Sequence, residues 1–522
     1  MSASAGKVLL TPKGDFSTSA TYSILDWVRY NGGVYVAKQT TTGNLPTDTT
    51  YWEKMNDSVS TLSGLSDVNI TNIADGETLI WDATNSEWVN GTIAGGGSYI
   101  TLTTTTEQGE NVSMSIGGAT YTGTFSSEGI CTFEGVKETG TATISTARVT
   151  TTLVIEYYGS YVAVVEYVPA HTYGVEWDGT STTVWSRTDE SAEFTDPIPY
   201  VSGASNYGSP FDNLMPWSGM VIEERTGGTM VKIPKFWYKL TQNGAGMKIQ
   251  ISDKEQDGFH VSPAHMNRGD GKGERDYVYV GRYHCGATAY KSVSGQLPKA
   301  NITRSEARSA IHNLGTNIWQ MDFATRFTIW LLYLVEFADW NSQEKIGYGC
   351  GNGNSTNTQA MGYTDSMPYH TGTTLANRTT YGFGTQYRYI EGLWDNVYDY
   401  LDGCYYNSYL TLYTILDPSL FSDSTNGTMI ATQRSGYPSA FSIKSVDGSF
   451  PMFVSTVGGG SDTTYSCDGW SMFKSAPCIC AGGETSHSGD RGLFCITGMG
   501  ASGVSSSGDY WGSRLMELPD NT

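Results

Sequence analysis

Across 522 residues the longest apolar stretch runs from Phe327 to Phe337, and Thr328 and Glu336 interrupt it. A bilayer span needs roughly 20 apolar residues, so this segment is a buried helix and not a membrane anchor. Asp322 precedes it, a side chain suited to capping a helix N-terminus. The sequence therefore predicts a helix of about 15 residues from that point, apolar nearly all round and central to its domain. A second helix is signalled by Ile302-Thr303-Arg304-Ser305-Glu306. In this T-x-x-E box the Thr303 hydroxyl caps the third amide while Glu306 reaches back. It is expected to stop at Asn313-Leu314-Gly315, with Gly315 at C′. The rest reads as strand and turn: Gly 62, Tyr 34 and Trp 14 accompany only 16% charged residues, a composition of turn-rich, aromatic-rich β structure. The expected class is mainly β and multidomain, with about three or four domains because a single core does not keep growing at this length.

Lys+Arg 31 against Asp+Glu 52 gives a net charge of -21. With no local basic patch, such a surface repels nucleic acid and anionic lipid, so neither nucleic-acid binding nor membrane insertion is expected. The opening Met1 to Ser17 lacks an apolar core followed by a small-residue cleavage site, and no secretion signal is read there. Of 8 Cys, only Cys131 lies early; Cys478-Ile-Cys480 is C-x-C, without the paired spacing of a zinc site. Reduced, mostly buried thiols are expected, and no cofactor.

Five segments can be told apart, the last two forming one domain. In residues 1–56, Asn31-Gly32-Gly33 sits between Trp27-Val28 and Val34-Tyr35-Val36, a hairpin signal because these residues tolerate positive φ. Asp26, Val28, Tyr30, Gly32 or Gly33, Tyr35, Ala37, Gly43, Pro46 and Trp52 together resemble the small three-stranded module of the chitin-binding family 5/12 type. That resemblance implies sugar stacking on Trp27, Tyr51 or Trp52; the competing reading is that such rings are the module's only core. Residues 57–97 carry Leu65-Ser66-Asp67-Val68, Asp75-Gly76-Glu77-Thr78-Leu79-Ile80-Trp81-Asp82 and Trp88-Val89, and resemble an element of trimeric phage tail-fibre shafts. Too few apolar residues are present to bury a core in one chain, which a homotrimer would solve. Residues 98–170 alternate with period two and are expected to form an immunoglobulin-like β-sandwich.

Residues 171–522 read as one large α+β domain. The runs Ile233-Pro-Lys-Phe-Trp-Tyr-Lys, Asp257-Gly-Phe-His-Val-Ser-Pro-Ala, Leu332-Tyr-Leu-Val-Glu-Phe, Ile390-Glu-Gly-Leu-Trp-Asp-Asn and Gly512-Ser-Arg-Leu resemble phage and prophage tail proteins. Those end in a C-type-lectin fold of the formylglycine-generating-enzyme-like and major-tropism-determinant-like group. In that group the last strands and loops display the ligand-binding surface, in some members diversified by a diversity-generating retroelement. The resemblance implies a receptor surface within residues 466–515. Cys467, Pro477, Gly482-Gly483, Gly492-Leu493-Phe494, Ala501-Ser502 and Gly512 to Leu515 would be scaffold. Trp470, Glu484, Thr485, His487, Asp490, Arg491, Cys495, Thr497, Met499, Ser506, Asp509 and Tyr510 would touch receptor.

Catalytic signals are weak. Gly269 to Asp276 lacks the spacing that wraps a phosphate; its acids Asp270, Glu274 and Asp276 are a candidate calcium site, against the alternative of a solvated turn. Cys478 and Cys480 lack the flanks of an oxidase thiol pair. No repeat of 20–30 residues suggests a glycan-degrading β-helix. The resemblance therefore implies a tail adhesin and not an enzyme. It is expected in the virion, made in the bacterial cytoplasm, joined to other tail or baseplate proteins through its N-terminus, and binding a protein or glycan receptor on bacteria. A wall-polysaccharide enzyme and a purely structural baseplate component are the alternatives.

Overall fold

The computed structural model describes residues 10–55, 67–71, 78–82, 84–91, 97–156, 158–349, 358–379, 384–423, 427–432, 435–443, 452–472, 478–485, 491–498 and 510–520. The chain is mainly β and divides into two compact units, residues 1–169 and 170–522.

The first unit opens with the hairpin Asp26–Tyr30 and Gly33–Ala37, in which Tyr30 faces Gly33. The two turn residues, Asn31 at φ 48° and Gly32 at φ 77°, are both left-handed, as a two-residue turn between right-twisted strands requires. Its main sheet has four strands where three were expected, and Thr21–Tyr22 pairs with Thr41–Thr42 in a second, two-stranded sheet. Thr11–Asp15 adds parallel to Asp26–Tyr30, and Trp52–Lys54 closes the other edge. The extra strand is largely exposed, so its T-P-K-G-D sequence carries no apolar alternation to announce it. Tyr22, Val28, Ala37 and Trp52 form the core, with the Tyr22 and Trp52 rings 5.2 Å apart and the Trp52 Nε1 donating to the Asn44 carbonyl at 3.0 Å.

Strands Val68–Asn69, Thr78–Asp82 and Glu87–Gly91 make a separate three-stranded sheet. Its Trp81 and Trp88 rings meet edge-on at 5.4 Å, yet none of its described side chains is fully buried. Seven strands from Ser98–Thr103 to Ser160–Val164 form a three-stranded and a four-stranded sheet. Ile100, Leu102, Val112, Met114, Phe133 and Ile144 fill the space between them. Alternation is regular, as in Ser98–Thr103, where Ser98, Ile100 and Leu102 point inward. This is a β-sandwich.

The second unit is built around two helices. The first, α1 (Arg304–His312), has the full capping box: the Thr303 hydroxyl accepts from the Glu306 amide and the Glu306 carboxylate accepts from the Thr303 amide. Its C-cap is Asn313, so Gly315 lies one residue beyond C′ and does not adopt the left-handed conformation expected of it. The second, α2 (Phe323–Phe337), is capped by the Asp322 side chain, and every one of its residues is buried. The two polar interruptions are both satisfied in the interior. Thr328 Oγ1 donates to the Ala324 carbonyl at 3.0 Å and accepts from the Ala264 amide at 2.9 Å. Glu336 is paired with buried Arg388 and accepts from the Tyr387 hydroxyl at 2.9 Å. No helix among the described residues is long and apolar enough to cross a membrane.

Around these helices lie two five-stranded sheets and one seven-stranded sheet. In one five-stranded sheet the late strand Leu515–Glu517 is inserted between Tyr277–Gly281 and Ile318–Gln320. Arg514, fully buried, fixes that insertion. Its Nη1 donates to the carbonyls of Gly281 (2.9 Å) and Arg282 (3.1 Å), its Nη2 to those of Glu391 (2.8 Å) and Gly392 (3.2 Å), and its Nε to Asp399 at 3.1 Å. Next to it, a Cβ on Gly512 would stand 2.6 Å from Val397 Cγ2. The G-S-R-L sequence is thus a structural clamp joining four stretches of chain.

Candidate receptor-binding surface

The seven-stranded sheet has the order Thr428–Thr432, Thr411–Thr414, Tyr398–Tyr406, Cys478–Ala481, Ile496–Gly498, Trp470–Ser471, with Trp511–Gly512 pairing parallel to the start of Tyr398–Tyr406. Register decides which connections emerge together. Tyr406 faces Leu412, Thr411 faces Thr432, Tyr405 faces Cys478, Ile479 faces Gly498, and Trp470–Ser471 runs parallel to Ile496–Thr497. Hence Tyr406, Thr432, Ser471 and Gly498 all end at one edge, where Thr411 and Cys478 begin. The described connection there is 407–410.

At this edge exposed Tyr409 follows buried Tyr405 and Tyr406. The Asn407 side chain accepts from the amides of Tyr409 (2.9 Å) and Thr411 (3.0 Å), an Asx-type turn that holds Tyr409 at 80% exposure. Tyr405 and Tyr413 stack at 5.7 Å and 9°, and Tyr413 faces Met429 on the next strand, itself 57% exposed. Burial pushes the Tyr405 hydroxyl up to about 12, with Tyr413 beside it adding to the shift. It stays a neutral ring across the physiological range.

The scaffold beneath is tightly held. Asp468 accepts from the amides of Gly492 (2.7 Å) and Phe494 (2.8 Å), and the Leu493 carbonyl accepts from Arg326 (2.7 Å) and Trp330 (2.8 Å). A Cβ on Gly482, at φ 84°, would lie 2.5 Å from the Leu393 carbonyl oxygen. These are positions the sequence assigned to scaffold.

Several residues assigned to receptor contact belong instead to the interior. Trp470, Glu484, Thr485, Cys495 and Thr497 are all buried; Trp470 Nε1 donates to the Phe494 carbonyl at 3.1 Å. Arg491 and Tyr510 are half-buried, with Arg491 Nη1 3.7 Å from the Cys495 sulfur. His487, Asp490, Met499, Ser506 and Asp509 lie outside the described residues. A further correction comes from register. Ala481 faces Asp399 and Ile496, and Tyr398 faces Trp511. The described residues Glu484, Thr485, Arg491, Cys495 and Tyr510 therefore lie towards the end of the sheet opposite Tyr409. The strands here are three or four residues long and buried throughout, and their polar members lack any apolar period that would mark them as interior. Tyr409, Tyr413 and Met429 were missed; the signal was available in Asn407-Ser408 between two strand-like runs.

Elsewhere, Trp52 is interior and offers no stacking face, while Trp27 and Tyr51 are half-buried. Of the three candidate calcium ligands, Asp270 pairs with Arg275, and Asp276 (2.7 Å) and Glu274 (3.9 Å) pair with Lys235. Burial pushes Asp270 up, but hydrogen bonds from Arg275 and the Lys272 amide outweigh it and leave its carboxyl below the usual range. Among the described residues no group of three or more His, Cys, Asp or Glu is placed to hold a metal. The seven described cysteines are all buried free thiols. The eighth, Cys350, lies outside the described residues. Asp395 of Trp394-Asp395-Asn396 accepts from Tyr363 (2.6 Å) and from the amide and hydroxyl of Thr385 (3.0 and 2.8 Å), so it organises loops.

No family model matches the chain, and no curated protein does. Among solved structures, the Bacillus anthracis TIE protein aligns at 9% identity over 37% of this chain and 28% of its own, with a TM-score of 0.13. A leucine-rich repeat protein from Bacteroides thetaiotaomicron aligns at 8% identity over 35% and 22%, also at 0.13. The chain thus spans well under a third of either, and neither likeness amounts to a shared fold.

Proposed function

We propose that this chain is a phage or prophage tail adhesin that binds a bacterial surface receptor through the loop-bearing edge of its seven-stranded sheet. In this reading the second unit is a C-type-lectin-type head, residues 98–170 an immunoglobulin-like spacer, residues 57–97 a shaft element that trimerises, and the N-terminal module a structural piece that faces the virion. The observation that carries it is that four strands end at one edge, at Tyr406, Thr432, Ser471 and Gly498, with exposed Tyr409 beside them. Beneath them lies a scaffold cross-braced by Arg514, Arg326 and Asp468. Rigid elements presenting aromatic and small polar side chains are an efficient recognition surface, because little side-chain freedom is lost on contact. A trimer would raise weak single-head affinity through avidity.

The test is adsorption of the full chain to cells of a bacterial panel, with residues 473–477 and 499–509 replaced by Gly/Ser segments of equal length. The reading expects a bound strain and loss of binding in the variant. Equal binding by the variant would remove the loop-bearing edge from the account, and release of soluble glycan from cell walls would favour an enzyme.

A further inference from the structure

Apart from the loop-bearing edge, a cleft of about 300 Å³ opens beside the strand Ile318–Gln320, bounded by the turn at Asp417–Ser419, the loop 269–275 and the residues that follow Leu515–Glu517. Its aromatic wall is Trp319, half-buried. His312 stacks on one face of that ring at 3.9 Å and 18°, and is itself held by a 3.0 Å hydrogen bond to the Ile318 carbonyl. The indole is therefore fixed in position. The polar wall includes Asp417, Asp520, Asn317 and Arg275.

Arg275 supplies the second, independent observation. It is 2% exposed; its Nη2 pairs with Asp270 and its Nε donates to the Pro519 carbonyl at 3.2 Å. Its Nη1 is buried without any hydrogen-bond partner. Burying that N–H without an acceptor is costly, and Arg275 holds the cleft wall through its bonds to Asp270 and Pro519.

The chemistry of the lining narrows the ligand. Three carboxylates (Asp270, Asp417, Asp520) against two cations (Lys272, Arg275) disfavour an anion. An apolar ligand would strip water from the pairs Asp270–Arg275 and Asp520–Lys272 and from Asp417 while offering no hydrogen bond in return. A pyranose meets every requirement: its hydroxyls donate to carboxylates, accept from Lys272 and Asn317, and its C–H face stacks on a fixed indole. We propose that this cleft is a binding site for a neutral saccharide, separate from the loop-bearing edge and independent of the adhesin reading.

Saturation-transfer NMR on the full chain with lactose, maltose and N,N′-diacetylchitobiose tests it. The site predicts transfer to at least one disaccharide. Thr316→Trp and Ser419→Trp, both at exposed rim positions, should fill the cleft and weaken binding at least about tenfold. Trp319→Ala should do the same; the rim variants decide the matter if that protein does not fold. No transfer with any of the three sugars would overturn the proposal, and so would transfer unchanged in both rim variants, which would place the sugar elsewhere. Because the readout needs no cells, its failure is distinguishable from a failure of adsorption.

Discussion

Replacing Arg514 with methionine should unlock the second unit while leaving the first folded. The arginine side chain is fully buried and makes contacts to four carbonyls and one carboxylate. Methionine fills a similar length but supplies no donor and no charge. Asp399, also buried, would keep the His284 Nδ1 at 2.9 Å and the more distant charge of Arg326. Burial pushes the Asp399 carboxyl up, yet Arg514, with His284 and Arg326, brings it down to about 2 from 3.8. That depression is worth about 2 kcal/mol in favour of the folded charged state, a gain that removing the arginine converts into a desolvation cost. Breaking a buried pair typically costs about 3–5 kcal/mol, and each orphaned carbonyl adds roughly 1 kcal/mol where no other donor reaches it. A loss of about 5 kcal/mol is therefore expected, against the roughly 5–15 kcal/mol that holds a domain together.

Urea unfolding followed by tryptophan fluorescence, with hydrogen exchange at Leu515–Glu517 to assign the transition, measures this loss. Asp399→Asn should be less costly in the Arg514→Met background than alone, because the two groups are partners. The sign with pH is fixed by the depressed carboxyl. Its contribution is present above the unfolded value of 3.8 and lost as pH falls towards about 2, so wild type and variant should converge in acid. A loss under about 1 kcal/mol at neutral pH, or strict additivity of the two substitutions, would refute the clamp.

Glu391 should make the second unit less stable as pH rises: burial pushes its carboxyl up to about 7 against hydrogen bonds from Thr364 and Gly362. Its contribution is complete below the unfolded value of 4.5 and lost as pH rises to about 7, a change of about 3 kcal/mol. Glu391→Gln should flatten that slope in denaturation curves recorded from about pH 5 to 8; an unchanged slope would place the titration elsewhere. In the first unit, Trp52→Ala should cost the N-terminal module about 3–5 kcal/mol, since Trp52 is 1% exposed in a core of four buried residues. Proteolysis of residues 10–55 in the variant, with the sandwich intact, reads it out.

What was legible in the sequence was local. The Thr303 box, the Asp322 cap and the Asn31-Gly32 turn each depend on a few adjacent residues, and each forms as the spacing dictates. The alternation of Ser98–Thr103 likewise announces its sandwich, because one face is wet. The seven-stranded sheet was not legible. All nine residues of Tyr398–Tyr406 are buried, so polar and apolar positions do not alternate. Its acids are satisfied from far along the chain: Asp402 by Arg308 at 2.5 Å and Asp399 by Arg514. No local pattern distinguishes such an interior aspartate from a solvated one. The same blindness made Glu484, Cys495 and Thr497 look like display positions, when short interior strands and turns hold them. Which strands end at one edge is a property of register, which depends on strand pairs up to about a hundred residues apart.

Hydroxyl-radical footprinting of the full chain bound to envelope fragments from an adsorbing strain tests the central claim most directly. The account predicts protection of Tyr409 relative to free protein, with Trp81 and Met55 of the first unit unchanged. Protection confined to the first unit, or none at the edge carrying Tyr409, would contradict it.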